Sequence, residues 1–425
     1  MNEQKLLHDL FESYYEARKN KRNTYNQIEF EFNLEENIIK LYNELLDWTY
    51  KVWKSIYFIQ NHPVKREIFA WNFRDRVVHH LIYNYISPIF EKQFIYDSYS
   101  CRKFKWTSFW IERLQKFIRS CSNNYSEDCY ILKLDISWYF MSMNKDILYK
   151  QIKDVLWKTP SVFVPQTSPS KRETKRKITL IEGDAWKAGG VLELIKKIIY
   201  NDPTKNWIFK WKKLDYIWLP KNKSLFFAEP WCWLPIWNLT SQLFSNIYLM
   251  NFDKYMKQTL KIKYYWRYVD DFFILHKDKE KLKQLIPKIN NYLKIELWLI
   301  LHPNKIYLQH YTKWVLFLWV YIKPHRTYIR KRTIWYFYKK IIKLNERIKL
   351  KQNVGGSLVG TLSVKYRKID NNIKQDFLTT INSYLWMLKH HKTYKKRKHL
   401  LLNVVSAYFW NYFYISNWYC KVKRK

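Results

Sequence analysis

Glycine is nearly missing from this chain: 6 residues in 425, where an ordinary globular sequence carries roughly 7%. Cysteine is sparse and scattered. The five, Cys101, Cys121, Cys129, Cys232 and Cys420, form no CxxC pair and no Cys/His metal spacing, which argues against structural zinc and fits a reducing compartment. Long apolar runs are missing too. No stretch of about 18 apolar residues occurs, and the polar N-terminus resembles no signal peptide, so neither a membrane span nor export is expected and the expected location is cytoplasmic. Acidic residues are the last shortage: Asp and Glu number 36 against 76 Lys and Arg, a net charge of +40 spread over the whole length. That excess calls for a polyanionic partner.

What is present supports a folded, nucleic-acid-binding chain. Hydrophobic residues are 48% and aromatic residues 19% of the sequence, enough for a substantial core and for a groove in which cations neutralise phosphates while rings stack on bases. A codon bias toward Lys, Asn, Ile, Tyr and Phe accounts for part of this composition. Tryptophan is abundant, at 22 residues, and with the 6 glycines it makes 28 of 425, close to an ordinary glycine share. Trp233 before Leu-Pro, Trp237 before Asn-Leu-Thr and Trp298 in Leu-Trp-Leu-Ile-Leu-His-Pro stand where a backbone calls for glycine. The expectation is that UGA codons meaning glycine stand behind many of these tryptophans; the alternative is a tryptophan-rich protein.

Along the chain, residues 1 to 48 show two helical stretches around a polar segment. An extended segment from Phe58 to Phe73 passes Pro63, and Arg74 to Phe90 has helical periodicity. Residues 130 to 136 alternate as a strand ending in a carboxylate. A polar loop spans 160 to 177 and a helix 184 to 200. Thr240 to Met256 is an amphipathic helix, Tyr264 to Leu275 gives two short strands hinged at Val269-Asp270-Asp271, and Lys277 to Leu293 is a basic helix. Beyond about 325 the pattern is helical, Trp335 to Lys351 and Ile373 to Lys389, with Gly355-Gly356-Ser357 as a linker.

Asp135 and Asp270 each stand at the end or bend of an apolar strand, where an unpaired charge is costly without a cation. If the strand and the hairpin share a sheet, their carboxylates converge and repel unless a divalent ion lies between them. Phosphoryl transfer is the chemistry this suggests, with Asp271 the less certain ligand because adjacent strand residues face opposite sides. A YxDD string alone is weak evidence, and a surface turn is its ordinary meaning.

Lys133-Leu-Asp-Ile-Ser-Trp-Tyr-Phe140 followed by Tyr268-Val-Asp-Asp271 resembles motifs A and C of reverse transcriptases in order and spacing. Leu234-Pro-Ile-Trp-Asn-Leu-Thr-Ser-Gln-Leu-Phe-Ser-Asn-Ile-Tyr-Leu249 is similar to motif B of the diversity-generating retroelement type. Lys65-Arg-Glu-Ile68, Asp75-Arg-Val-Val-His-His80, Asp97-Ser-Tyr-Ser-Cys-Arg102, Leu299-Ile-Leu-His-Pro-Asn-Lys305 and Phe317-Leu-Trp319 resemble further family segments, so the likeness covers roughly residues 50 to 390. The departures are chiefly Trp where the family has Gly, at Trp106, Trp138, Trp233, Trp237, Trp266, Trp298 and Trp319.

The resemblance implies an α+β right-hand polymerase: N-terminal helices and fingers over 1–128, a palm with an antiparallel sheet over 129–324 that carries a finger insertion around 160–230, and a basic helical thumb and tail over 325–425. It implies two Mg²⁺ ions on Asp135, the Ile136 carbonyl, Asp270 and Asp271, with deoxynucleotide substrates. Lys305 is implied as general acid, Lys65, Arg66 and Arg74 as triphosphate ligands, and Phe140 as the gate against a 2′-hydroxyl. Ile236 and Gln242 would lie against the templating pair, implying errors at template adenines, and Leu318 with Trp319 resembles a primer grip. Implied partners are a template-repeat RNA, an RNA–DNA duplex and a small basic accessory protein, for mutagenic retrohoming. The rivals are a group II intron or retron-type reverse transcriptase and a catalytically inactive nucleic-acid-binding protein.

Overall fold

The structure, a computed structural model, describes residues 3–19, 24–60, 65–102, 105, 107–158, 189–209, 219–220, 224–235, 238–353 and 370–425. The polar loop at 160–177, Ile236, Trp106, Trp237 and the Gly355-Gly356-Ser357 linker lie outside the described residues. The fold is mixed α+β. It divides into two compact units, one of residues 1–106 with 130–308 and the other of 107–129 with 309–425. These bounds cut across the three segments expected from sequence, because residues 107–129 group with the C-terminal part of the chain.

The first unit opens with three helices, not two: α1 (Glu3–Arg18), α2 (Tyr25–Phe32) and α3 (Leu34–Leu46). Leu6, Leu10, Tyr14 and Ala17 bury one stripe of α1, at the three-to-four-residue spacing that puts side chains on one helix face. Its polar edge is tied to α4 (Phe73–Glu91), where Tyr85 donates to Asp9 at 2.7 Å and Asn84 to Glu16 at 2.9 Å. Asn72 caps α4 by accepting the Arg74 N–H at 3.0 Å. Between them, β1 (Ser55–Gln60) pairs antiparallel with β2 (Arg66–Ala70) and parallel with β5 (Trp207–Phe209).

The central sheet has the order β3-β6-β7-β4-β8, built from β3 (Ser98–Tyr99), β4 (Tyr130–Leu134), β6 (Tyr264–Tyr268), β7 (Asp271–His276) and β8 (Tyr307–His310). Strand β7 is antiparallel to both β4 and β6. Its Phe272, Phe273, Ile274 and Leu275 are all buried, as a central strand covered on both faces requires. The covering helices include α6 (Lys145–Trp157), α7 (Val191–Tyr200), α8 (Leu239–Tyr248), α9 (Met250–Lys254) and α10 (Lys279–Leu297). The helix expected over Thr240–Met256 is thus divided, and a π-helical turn over Tyr255–Thr259 follows it.

In the second unit, α5 (Thr107–Cys121) sets Trp110 edge-on against Phe317, with ring centroids 4.1 Å apart. Phe317 ends β9 (Val315–Phe317), which forms an antiparallel meander with β10 (Val320–Lys323) and β11 (Arg326–Ile329). Helices α11 (Lys331–Asn353) and α12 (Asn371–Lys389) follow and stack Phe337 on Tyr384 at 4.5 Å. The chain then departs from its expected helical character. After the short α13 (Tyr394–His399) it closes as a β-hairpin, β12 (Phe413–Ser416) with β13 (Lys421–Arg424), bonded to α12 through Asn382 and Val422 at 2.8 Å.

Candidate active site

Strand β4 pairs Leu134 with Phe272 of β7. One step further in the same register Asp135 comes level with Asp271, the first residue of β7. Tyr268 pairs with Asp271, so Val269 and Asp270 are the two central residues of the β6–β7 turn. Three carboxylates therefore meet at one end of the sheet. Asp271 joins them through register and not through relaxed alternation, since it stands directly across from Asp135.

The turn is strained and braced. Val269 has φ 54°, a left-handed conformation that a β-branched residue rarely adopts. Its carbonyl accepts a 2.8 Å hydrogen bond from Arg267 Nη1. Arg267 is itself fully buried and held by Asp253 at 2.8 and 2.7 Å, by Asn246 and by Ser98. The β6–β7 turn thus hangs on a buried guanidinium that the sequence alone does not mark.

Electrostatically the cluster is short of positive charge. Burial, then Asp271, then Asp135 push the Asp270 carboxyl up to about 7, and burial raises Asp271 as well. Two lysines oppose this. Lys305 Nζ lies 3.1 Å from both oxygens of buried Asp135, and Lys133 Nζ lies 3.1 Å from Asp271 Oδ1. Lys305 was expected at the site. Lys133 was not, although it lies two residues before Asp135 and so on the same face of β4.

Asp135 is further fixed through its backbone: its carbonyl accepts from His302 N–H at 2.8 Å, and Ser137 N–H donates to Ile300 at 2.9 Å. These bonds flank the Ile136–Leu301 bridge, making it a non-hydrogen-bonded pair in which the Ile136 carbonyl is not taken by Leu301. Three carboxylates and this carbonyl are hard oxygen donors of the kind Mg²⁺ accepts. Among the described residues no three His, Cys, Asp or Glu side chains enclose an ion by themselves.

The remaining expected residues fall in several places. Phe140 is half-buried against Tyr139, and its carbonyl accepts from Leu234 N–H at 2.7 Å, joining the strand carrying Asp135 to the segment before α8. Gln242, in the first turn of α8, lines a cavity of about 290 Å³ with Asn238, Arg76 and His79. Lys65 is half-buried and Arg66 exposed at the start of β2. Arg74 differs from the expectation. It is buried, its guanidinium bonded to Glu44, to Asp75 at 3.2 Å and to the Lys51 carbonyl at 3.2 Å, and stacked over Tyr50 and Trp53, so its charge is committed within the fold. In the second unit, Leu318 and Trp319 form the two-residue β9–β10 turn, with Leu318 at φ 49°.

No protein-family model matches the chain, and no curated protein does. Among solved structures it is similar to a telomerase from Candida albicans in complex with a TWJ fragment of telomeric RNA, at 11% identity and TM-score 0.43, over 82% of this chain and 59% of that one. An apo telomerase from Candida tropicalis gives 12% identity and TM-score 0.42, over 83% and 59%. The chain spans about three fifths of the length of these matched chains. At such values the likeness assigns no activity, and the geometry of the site stands alone.

Proposed function

We propose that this chain is an RNA-directed DNA polymerase of the right-hand type. The observation that carries the reading is the meeting of Asp135, Asp270 and Asp271 at one sheet end, where burial and the two neighbouring carboxylates raise the Asp270 carboxyl to about 7. Mg²⁺ held by Asp135, Asp270, Asp271 and the Ile136 carbonyl would activate a primer 3′-hydroxyl and stabilise departing pyrophosphate. Lys305, half-exposed beside Asp135, is placed to give a proton to that leaving group. Lys65 and Arg66 bind the triphosphate, since charge-assisted bonds to phosphate oxygens are the strong ones. Arg74 supports them indirectly by fixing α4 against Glu44.

In this reading Phe140 excludes a 2′-hydroxyl, while Ile236 and Gln242 face the templating pair. Leu318 and Trp319 guide the primer, and the basic helices α11 to α13 follow the duplex through phosphate contacts. The motif B identities favour a diversity-generating type, error-prone at template adenines and served by a template-repeat RNA and a small basic accessory protein. Primer extension on an adenine-containing RNA template with Mg²⁺ and deoxynucleotides tests this. DNA synthesis with raised misincorporation opposite adenine is expected; a folded chain that binds RNA but extends no primer is an inactive binding protein.

A further inference from the structure

We infer that positions 48, 138, 233, 298 and 418 are glycine in the protein as its own cell makes it, the codon written here as tryptophan being decoded there as glycine. The inference rests on backbone conformation and does not depend on the polymerase reading. Among the described residues fifteen non-glycine residues have positive φ, and five of them are tryptophan: Trp48 at 59°, Trp138 at 45°, Trp233 at 105°, Trp298 at 54° and Trp418 at 52°. An L-residue with a bulky side chain is a rare occupant of this region, which glycine enters freely.

Four of the five positions have a local reason for the conformation. Trp298 ends α10 at φ 54°, ψ 30°, with its N–H returning to the Leu293 carbonyl; a left-handed residue there is the common way to stop a helix, and it is usually glycine. Trp48, at φ 59°, comes one residue after Asp47, the C-cap of α3, where a left-handed residue commonly follows a helix. Trp418 comes after Asn417 in the β12–β13 turn, and Asn-Gly is the pair most favoured where consecutive turn residues need positive φ. Trp138, at φ 45° and ψ 38°, turns the chain from Asp135 into the single 3₁₀ turn over Tyr139–Met141.

Side-chain packing does not account for the exposed tryptophans. Trp418 is 81% exposed, Trp138 58% and Trp298 57%, so these indoles gain little from burial. Trp233 is buried, with the Lys145 ammonium 3.5 Å over its ring, but its φ lies beyond the left-handed well near +50 to +70° that other residues use. Trp110 provides the contrast: it is fully buried within a helix against Phe317 and is an ordinary core residue.

Two of the five positions bear on the site. The N–H of residue 233 donates to the Met143 carbonyl at 2.8 Å, next to the Leu234 bond to Phe140, and residue 138 lies between Asp135 and Phe140.

The test is peptide mass spectrometry of the chain from its native host, with the gene read at the same positions. One shared codon and glycine mass at 138, 298 and 418 are expected; tryptophan mass at any of them overturns the inference. In the recombinant chain, Trp298→Gly and Trp418→Gly should raise the melting temperature while Trp110→Gly lowers it. A fall for Trp298→Gly comparable to that of Trp110→Gly would equally refute it.

Discussion

Two clusters of buried charge adjoin strand β6 and the turn that follows it. In one, Arg267 and Asp253 form a closed pair, with the guanidinium also bonded to Asn246, Ser98 and the Val269 carbonyl. In the other, three residues on from Arg267, Asp270 is pushed up to about 7 by burial and by two neighbouring carboxylates. The first cluster satisfies itself and builds structure. The second brings three carboxylates together in a buried place, an arrangement that costs folding energy and is typical of functional sites. The strained Val269 turn joins the two, so the satisfied pair holds the unsatisfied one in position.

Substitutions should separate these roles. The largest effect on function is expected for Asp270→Asn: synthesis falls by at least about 10²–10³-fold, the scale of losing one preorganised electrostatic contact, while the melting temperature stays level or rises and RNA affinity is unchanged. A kinetic and thermal comparison of the purified variant checks it. Asp253→Ala should do the reverse to stability, costing about 3–5 kcal/mol by leaving Arg267 buried without its partner, as denaturant unfolding would register. If both variants behaved alike, the contrast between the clusters would collapse.

A smaller functional effect is expected at Lys305. Lys305→Ala should lower kcat by about 10²-fold if it acts as general acid, with the nucleotide KM little changed; an effect confined to KM would make it a binding residue instead. The smallest effect lies outside both clusters, at Glu67. Burial raises its carboxyl to about 7 despite hydrogen bonds from Leu225, Ser224 and Tyr57. A raised folded value favours the protonated form, so the stability it contributes is present below its unfolded value and lost as pH rises through about 7. Glu67→Gln should flatten that slope between pH 5 and 7 in thermal melts.

The central sheet end was legible because period-two alternation ending in a carboxylate, and an apolar hairpin broken by Asp-Asp, are local patterns. Partners were not. Arg74 shows as a charge in the sequence, but its engagement by Glu44, Asp75 and Lys51 is tertiary. Arg267 and Asp253 meet from a strand and a helix, a pairing that no spacing announces. The β12–β13 hairpin was missed for a different reason: its turn reads Asn417-Trp418, so the Asn-Gly signal that would mark it is missing. Of the tryptophans expected to replace glycine, Trp138, Trp233 and Trp298 have positive φ, while Trp266 and Trp319 do not, and Trp266 stacks on Phe273 at 4.3 Å.

The most direct measurement is primer extension on an RNA template with Mg²⁺, using the chain with glycine at 48, 138, 233, 298 and 418 beside the same chain carrying Asp270→Asn. Extension by the first and none by the second, at equal RNA affinity, is the expected result. Equal extension by both, or none by a folded, RNA-bound chain in either form, would contradict a polymerase centre at Asp135, Asp270 and Asp271.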